Sequence, residues 1–267
     1  MAALACSGAV PAQQPANQDP APSAPPGLQF LYGSGEAAAI SRQTYRALEA
    51  YALAAVASRP RDSVVMAAGA TLASPAFVPC ANKPLAAVFD IDETVILNTG
   101  LIHARATGSV TGGPAGLAVQ AVPGAVEALT ALRQAGITPV YNTNRTTGMA
   151  EGVVAALRSV GLDSPVVGET LFLSGFDGMG PNKDGRRSAI AAKYCVIAMA
   201  GDQLGDFTER LREIPSVAAR RAATLSPGIA DKWGNGWFML ANTAYGTALE
   251  GGLADVFPGL APAANDN

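Results

Sequence analysis

The sequence has a single histidine, His103, among its 267 residues. Chemistry that needs paired histidines is thereby excluded, including zinc sites with several His ligands and hydrolases built on a histidine pair. Cysteine is almost as scarce. Cys6, Cys80 and Cys195 are too few and too scattered for a Cys-rich metal site or a disulfide-dense scaffold. Neither Cys80 nor Cys195 begins a Cys-x5-Arg loop, so a thiolate nucleophile of that kind is excluded as well. Charged residues make up only 15% and the net charge is −3. No basic surplus exists to neutralise a nucleic-acid backbone, which argues against that partner. No stretch stays apolar for the ~20 residues that a membrane-spanning helix needs. Any hydrolysis must therefore rest on carboxylates. Apolar residues, by contrast, are plentiful: at 49% they suffice for a buried core and exclude a largely disordered chain. The length allows one domain of ordinary to large size, or two small ones.

Residues 1–27 are rich in Ala, Pro, Gln and Ser, with no apolar periodicity, and read as an extended tether. Its start, Ala3-Leu4-Ala5-Cys6, resembles the end of a bacterial lipoprotein signal, in which the Cys becomes the lipid-bearing N-terminus. The stretch before Cys6 is too short for the positive start and the apolar run of roughly 7–15 residues that such a signal needs. A trimmed start and an accidental match both fit. The Pro-rich tether directly after Cys6 favours a lipid anchor there, with a periplasmic or outer-membrane location.

From residue 28 the chain reads as one domain. Ser34 caps a predicted helix whose apolar face is Ile40, Tyr45, Leu48, Tyr51, Leu53 and Val56, ending at Arg59. A second helix is predicted over Asp62–Ala73, so that residues 28–80 form an N-terminal helical segment. Short apolar runs then alternate with amphipathic helices. Strands are predicted at Leu85–Phe89, Ile137–Asn142, Thr170–Leu173, Val196–Ala200 and Trp237–Leu240. Helices fall at Pro123–Gln134, Met149–Ser159 and Gly185–Tyr194. This alternation implies an α/β fold: a Rossmann-like, mostly parallel sheet of about five strands, with helices on both faces. The catalytic core spans 81–255. Residues 98–120 are a short insertion, Gly-rich from Gly100 to Gly116, too small for a large cap domain.

In such a sheet the reactive groups lie just beyond the carboxyl ends of the strands. The first strand of the core runs into Asp90-Ile91-Asp92-Glu93-Thr94, and the strand at Val196–Ala200 runs into Gly201-Asp202-Gln203-Leu204-Gly205-Asp206. A single acid after a strand is a common helix cap; two acids spaced i and i+2 and followed by Thr are more specific. Acids converging from two strands repel one another unless a cation neutralises them. Hard oxygen ligands without His or Cys suit Mg²⁺.

These strings resemble the haloacid dehalogenase superfamily of phosphohydrolases, with four motifs in order. Phe89 to Thr94 looks like the first motif, Asp-x-Asp-x-Thr. Thr143 in Tyr141-Asn-Thr-Asn-Arg145 looks like the second, Lys183 the third, and Gly201 to Asp206 the fourth. With Lys183-x-x-Arg186 and the suspected lipid site, the pattern is most similar to the class C acid phosphatases, the bacterial lipoprotein branch.

The resemblance implies a nucleophile, Asp90, that forms an aspartyl-phosphate, and an acid–base, Asp92. It implies Mg²⁺ held by Asp90, the Asp92 carbonyl, Asp202 and Asp206. Phosphate binding falls to Thr94, Thr143, Asn144, Arg145, Lys183 and Arg186. The implied substrate is a small phosphate monoester. Phosphotransfer to an alcohol acceptor, or non-catalytic binding of phosphate esters on the same fold, are the alternatives.

Departures lie where the leaving group would sit. Leu97-Asn98-Thr99-Gly100 stands in place of the usual Asp-Asn-Ser and aromatic. Ala241-Asn242-Thr243 and Tyr245-Gly246-Thr247-Ala248 stand in place of Pro-Asn-Pro and Tyr-Gly-x-Trp. Thinner aromatic character implies a different or broader leaving group. His103 lies in the insertion and reads as a surface histidine. The superfamily places the strands that follow Cys80 and Cys195 side by side, within the reach of a disulfide. A bridge and two buried thiols both fit.

Overall fold

The computed structural model describes residues 23–109 and 118–260. Cys6 and the centre of the Gly-rich insertion lie outside that range. A short turn, α1 (Pro26–Leu28), and one wide helical turn over Gln29–Gly33 lead into α2 (Gly35–Ser58). The Ser34 hydroxyl caps α2 by accepting the Ala37 N–H at 3.0 Å. That satisfies one of the orphan donors of the first turn.

Next come β1 (Asp62–Met66) and β2 (Phe77–Pro79), an antiparallel pair. This corrects the helix predicted over Asp62–Ala73. Val64 and Val65 are β-branched and favour an extended backbone. The Val64 carbonyl accepts the indole N–H of Trp237 at 2.8 Å, a bond that ties the hairpin to the sheet.

The core follows in chain order as β3 (Leu85–Phe89), β4 (Ile96–Leu97), α3 (Thr99–Thr107), β5 (Gln120–Ala121), α4 (Ala125–Gln134), β6 (Thr138–Thr146) and α5 (Ala150–Ser159). Then come β7 (Leu171–Ser174), α6 (Lys183–Lys193), β8 (Cys195–Gly201), α7 (Glu209–Arg212), α8 (Val217–Thr224), β9 (Trp237–Met239) and α9 (Leu253–Val256). Five strands in the order β7-β6-β3-β8-β9 make one parallel sheet. The α/β fold is the expected one, with β6 reaching four residues further than its apolar run suggested. The paired strands β4 and β5 close the base of the insertion.

Every residue of β3 and of β8 is buried, which explains their continuous apolar runs: both faces of the sheet are covered. On one face Leu85, Ala87 and Phe89 pack with Leu48 of α2, Leu129 of α4 and Leu157 of α5. On the other, Ala86 and Val88 pack with Val64 of the hairpin, Ile190 of α6 and Trp237. Among the described residues no helix is long and apolar enough to cross a membrane.

Cys80 and Cys195 form a disulfide with their Cα atoms 4.5 Å apart. Cys195 opens β8 opposite Leu85, so the bridge staples the amino end of the sheet, roughly 20 Å along the strand from Asp202. The linked positions are 115 residues apart. Closing a loop of that size removes unfolded-chain entropy worth about 2–5 kcal/mol. A Cys195→Ala variant should lose stability in that range while keeping its activity at room temperature. Urea unfolding, followed for the variant and for the wild type with and without reductant, checks this. Coincident midpoints would show that the bridge contributes nothing.

Candidate active site

The carboxyl ends of β3 and β8 are adjacent, because the Asp90 N–H donates to the Ala200 carbonyl at 3.0 Å and so continues their pairing. That register brings the acids of two distant sequence strings to one place. Asp90, Asp202 and Asp206 are all buried, and each offers a carboxylate oxygen within 4.8 Å of the others. Gly201 makes the cluster compact: a Cβ there would lie 2.2 Å from the Asp206 Cβ. Only glycine lets the loop fold Asp206 back over the strand end, where its Oδ2 accepts the Gln203 N–H at 2.8 Å.

Lys183, the first residue of α6, reaches between the acids. Its Nζ donates to Asp90 Oδ1 and to Asp206 Oδ1, both at 2.6 Å. Burial alone would lower the lysine pKa, but Asp206 and Asp90 outweigh it and hold the ammonium charged. One cation does not balance three buried acids. Burial, only partly offset by Lys183 and reinforced by Asp206, Asp202 and Asp92, pushes Asp90 well above the usual carboxylate range. Burial and then Asp206 push Asp202 up to about 6. Closely set carboxylates with this excess of negative charge, all hard oxygen donors, suit a divalent cation such as Mg²⁺.

Asp202 is held from three sides. The Thr94 hydroxyl donates to Oδ1 at 2.8 Å, while Asn242 Nδ2 and Gln203 Nε2 donate to Oδ2 at 2.8 and 3.0 Å. Thr94 is fully buried, and its hydroxyl is spent on Asp202. Asp92 stands apart from the three clustered acids. Arg145 grips it, with Nε 3.0 and 3.2 Å and Nη2 2.6 Å from its carboxylate oxygens, and Asn98 Nδ2 adds a bond at 2.8 Å. The Arg145 guanidinium is therefore turned to Asp92.

Arg186 is fully buried, donating to Asn142 Oδ1 at 2.8 Å, Asn144 Oδ1 at 2.6 Å and the Gly180 carbonyl. Burial, helped by the neighbouring Arg187, lowers its pKa to about 10. Its donors brace the β6 end and the loop before α6. Arg187 braces the other loop through the Gly205 and Asp206 carbonyls, at 2.7 and 2.9 Å. Thr143 is buried beneath, its hydroxyl oxygen accepting the Arg145 N–H at 3.1 Å. Asn144 is exposed and lines the cleft. His103 is exposed on α3 and is absent from the cleft lining.

Above the acids opens a cleft of 410 Å³, with Asp90, Asp92, Lys183 and Asp206 at its base and Tyr245, Arg212 and Glu250 further out. Tyr245 is the aromatic residue of this lining among the described residues. Gln203, Asn242, Glu209 and Asn98 also serve the site, and none was singled out from sequence. Asn242 and Asn98 lie in the strings where the family pattern fails; Glu209, whose Oε1 accepts the Lys183 N–H at 2.8 Å, left no sequence signal.

If Asp202 holds a divalent cation, removing the Thr94 hydroxyl in Thr94→Val should weaken cation binding about 10-fold or more, the usual effect of losing a partner that orients a ligand. Metal titration with circular dichroism as the folding control checks this; an unchanged metal dependence would separate Thr94 from the cation site.

Residues 36–248 match the family described as HAD superfamily, subfamily IIIB (Acid phosphatase). The structure is similar to that of the class C acid phosphatase from Bacillus anthracis, with a TM-score of 0.64 and 24% identity over 88% of this chain and 89% of that one. It is similar also to a structure of class C acid phosphatase from Bacillus anthracis with tungstate bound, with a TM-score of 0.63 and 23% identity over 82% and 83%. No curated protein matches the sequence.

Proposed function

The chain belongs to the acid phosphatases of HAD subfamily IIIB and is a phosphomonoesterase of that type; from this premise we propose that it hydrolyses small organic phosphate monoesters with Mg²⁺, through an aspartyl-phosphate on Asp90. The observation that carries the reading is the buried meeting of Asp90, Asp202 and Asp206, with Lys183 bridging Asp90 and Asp206, at the base of an open cleft. Tungstate, bound by the Bacillus anthracis relative, is a tetrahedral oxyanion like phosphate and accords with the same reading.

A phosphate monoester dianion repels an anionic nucleophile, so the site must present positive charge where the phosphoryl group arrives. Lys183 supplies one charge, directly on Asp90. Asp90, Asp202 and Asp206, with the Asp92 carbonyl, would hold Mg²⁺, which supplies the rest. Asp90 attacks phosphorus and the ester oxygen leaves. Asp92, which also lines the cleft, gives that oxygen its proton and afterwards takes one from the water that cleaves the acyl phosphate. Asn144 lines the cleft and offers its amide N–H groups to a phosphoryl oxygen, and the Thr143 hydroxyl proton has the same use.

The disulfide accords with an oxidising compartment. With the string around Cys6 it supports a periplasmic or outer-membrane lipoprotein.

Asp90→Asn should abolish turnover with the fold intact, because an amide does not attack phosphorus. Asp92→Asn should lower kcat by about 10²–10⁴-fold. Steady-state hydrolysis of an aryl phosphate tests both, and near-native activity of Asp90→Asn would overturn the covalent mechanism. EDTA should abolish activity and Mg²⁺ restore it without zinc; recovery with zinc alone would count against an oxygen-ligand site.

A further inference from the structure

Glu93 directly follows Asp92 and serves neither the cation nor the phosphate, yet its surroundings are elaborate. It is buried and holds a left-handed backbone with φ of 53°. That region is unfavourable for a residue with a Cβ and persists where the surroundings over-determine it. Four bonds converge on its carboxylate. Oε1 accepts from the Tyr32 hydroxyl at 2.8 Å, the Asn98 N–H at 2.9 Å and Asn98 Nδ2 at 3.0 Å. Oε2 accepts from the Tyr245 hydroxyl.

Asn98 joins this hub to the acid–base. One hydrogen of its amide goes to Glu93, the other to Asp92 at 2.8 Å, and its Oδ1 accepts from Arg145 Nη2 at 2.7 Å. Two carboxylates on the nitrogen and a guanidinium on the oxygen fix the orientation of the amide. Rotating Asn98 away would leave Asp92 with Arg145 alone.

The outermost member, Tyr32, comes from the wide turn that precedes α2, and that segment is seated on the loop after β9. Gly27 lies against the loop after β9: the Thr243 hydroxyl donates to the Gly27 carbonyl, and a Cβ on Gly27 would lie 2.4 Å from the Thr243 carbonyl oxygen. Two residues on from Thr243 is Tyr245, the other phenol on Glu93. The N-terminal segment and the C-terminal loop thus meet twice, once at Gly27 and once through Glu93.

We infer that Glu93 is a positioning residue for the phosphatase reaction, setting Asp92 through Asn98, and that Pro26–Gly33 is part of the active site because Tyr32 completes the hub. The inference rests on the reading of Asp92 as the proton donor. Loss of Tyr32 or of the seat at Gly27 lets Asn98, and with it Asp92, leave the leaving-group oxygen. The defect is then confined to proton delivery and depends on the leaving group. A general loss of structure would slow all esters alike.

The experiment compares kcat/KM of the full chain for phenyl phosphate, whose leaving group needs the proton, with that for 2,4-dinitrophenyl phosphate, whose leaving group does not. Tyr32→Phe keeps the ring and removes one bond; Gly27→Val lifts the segment without altering any side chain that bonds Glu93, Asn98 or Asp92; Asp92→Asn is the reference. Both Tyr32→Phe and Gly27→Val should lose about tenfold on phenyl phosphate and less than about twofold on the dinitrophenyl ester. If Asp92→Asn discriminates between the esters and the other two variants do not, the positioning role is overturned and the reading of Asp92 stands. If Asp92→Asn affects both esters equally, that reading falls and the inference falls with it.

Discussion

Mutual repulsion among Asp90, Asp202 and Asp206 is the constraint on which the rest of this structure depends. Three buried carboxylates with oxygens within 4.8 Å of one another are unfavourable by themselves, since burial removes the water that would stabilise each charge. The fold answers with Lys183 between two of them and with neutral donors around the third. The remaining negative charge is what a bound hard cation would neutralise.

Holding such a cluster requires stiff surroundings, and the stiffness comes from both ends of β3 and β8. At one end the disulfide joins the start of β8 to the residue preceding β3 by five positions. At the other, two buried arginines act as scaffold. Arg186 donates to the Gly180 carbonyl of the loop before Lys183 and to Asn142 and Asn144 of β6, and Arg187 donates to the Gly205 and Asp206 carbonyls. Arginine suits this work because its planar fork serves several acceptors at once. Both loops would otherwise be free to relieve the repulsion by moving apart.

The cleft joins parts of the chain that are remote in sequence. Tyr32, Glu93 and Tyr245 meet across intervals of 61 and 152 residues, and each arrives from a different element. Among the described residues the cleft is lined by the ends of β3 and β8, by Asn144 of β6, by Lys183 of α6 and by the stretch from Tyr245 to Glu250.

The five strands, the order of the four motifs and the identity of the acids can all be read along the chain. These are local matters: apolar runs of strand length, helices between them, and acids at strand ends. Period and propensity speak for residues a few places apart. They misjudged Asp62–Ala73, where pairing with β2 and the bond to Trp237 outweigh any helical pattern. What each polar side chain touches emerges from the folded chain alone. Thr94 and Arg186 look like phosphate ligands in their motifs, yet one is turned to Asp202 and the other to two asparagines and a carbonyl. Glu93, Asn98 and Glu209 became visible only there as well. A hydrogen bond is set by distance and direction to within a fraction of an ångström, and residues far apart in sequence acquire such geometry only when the sheet has brought their strand ends together.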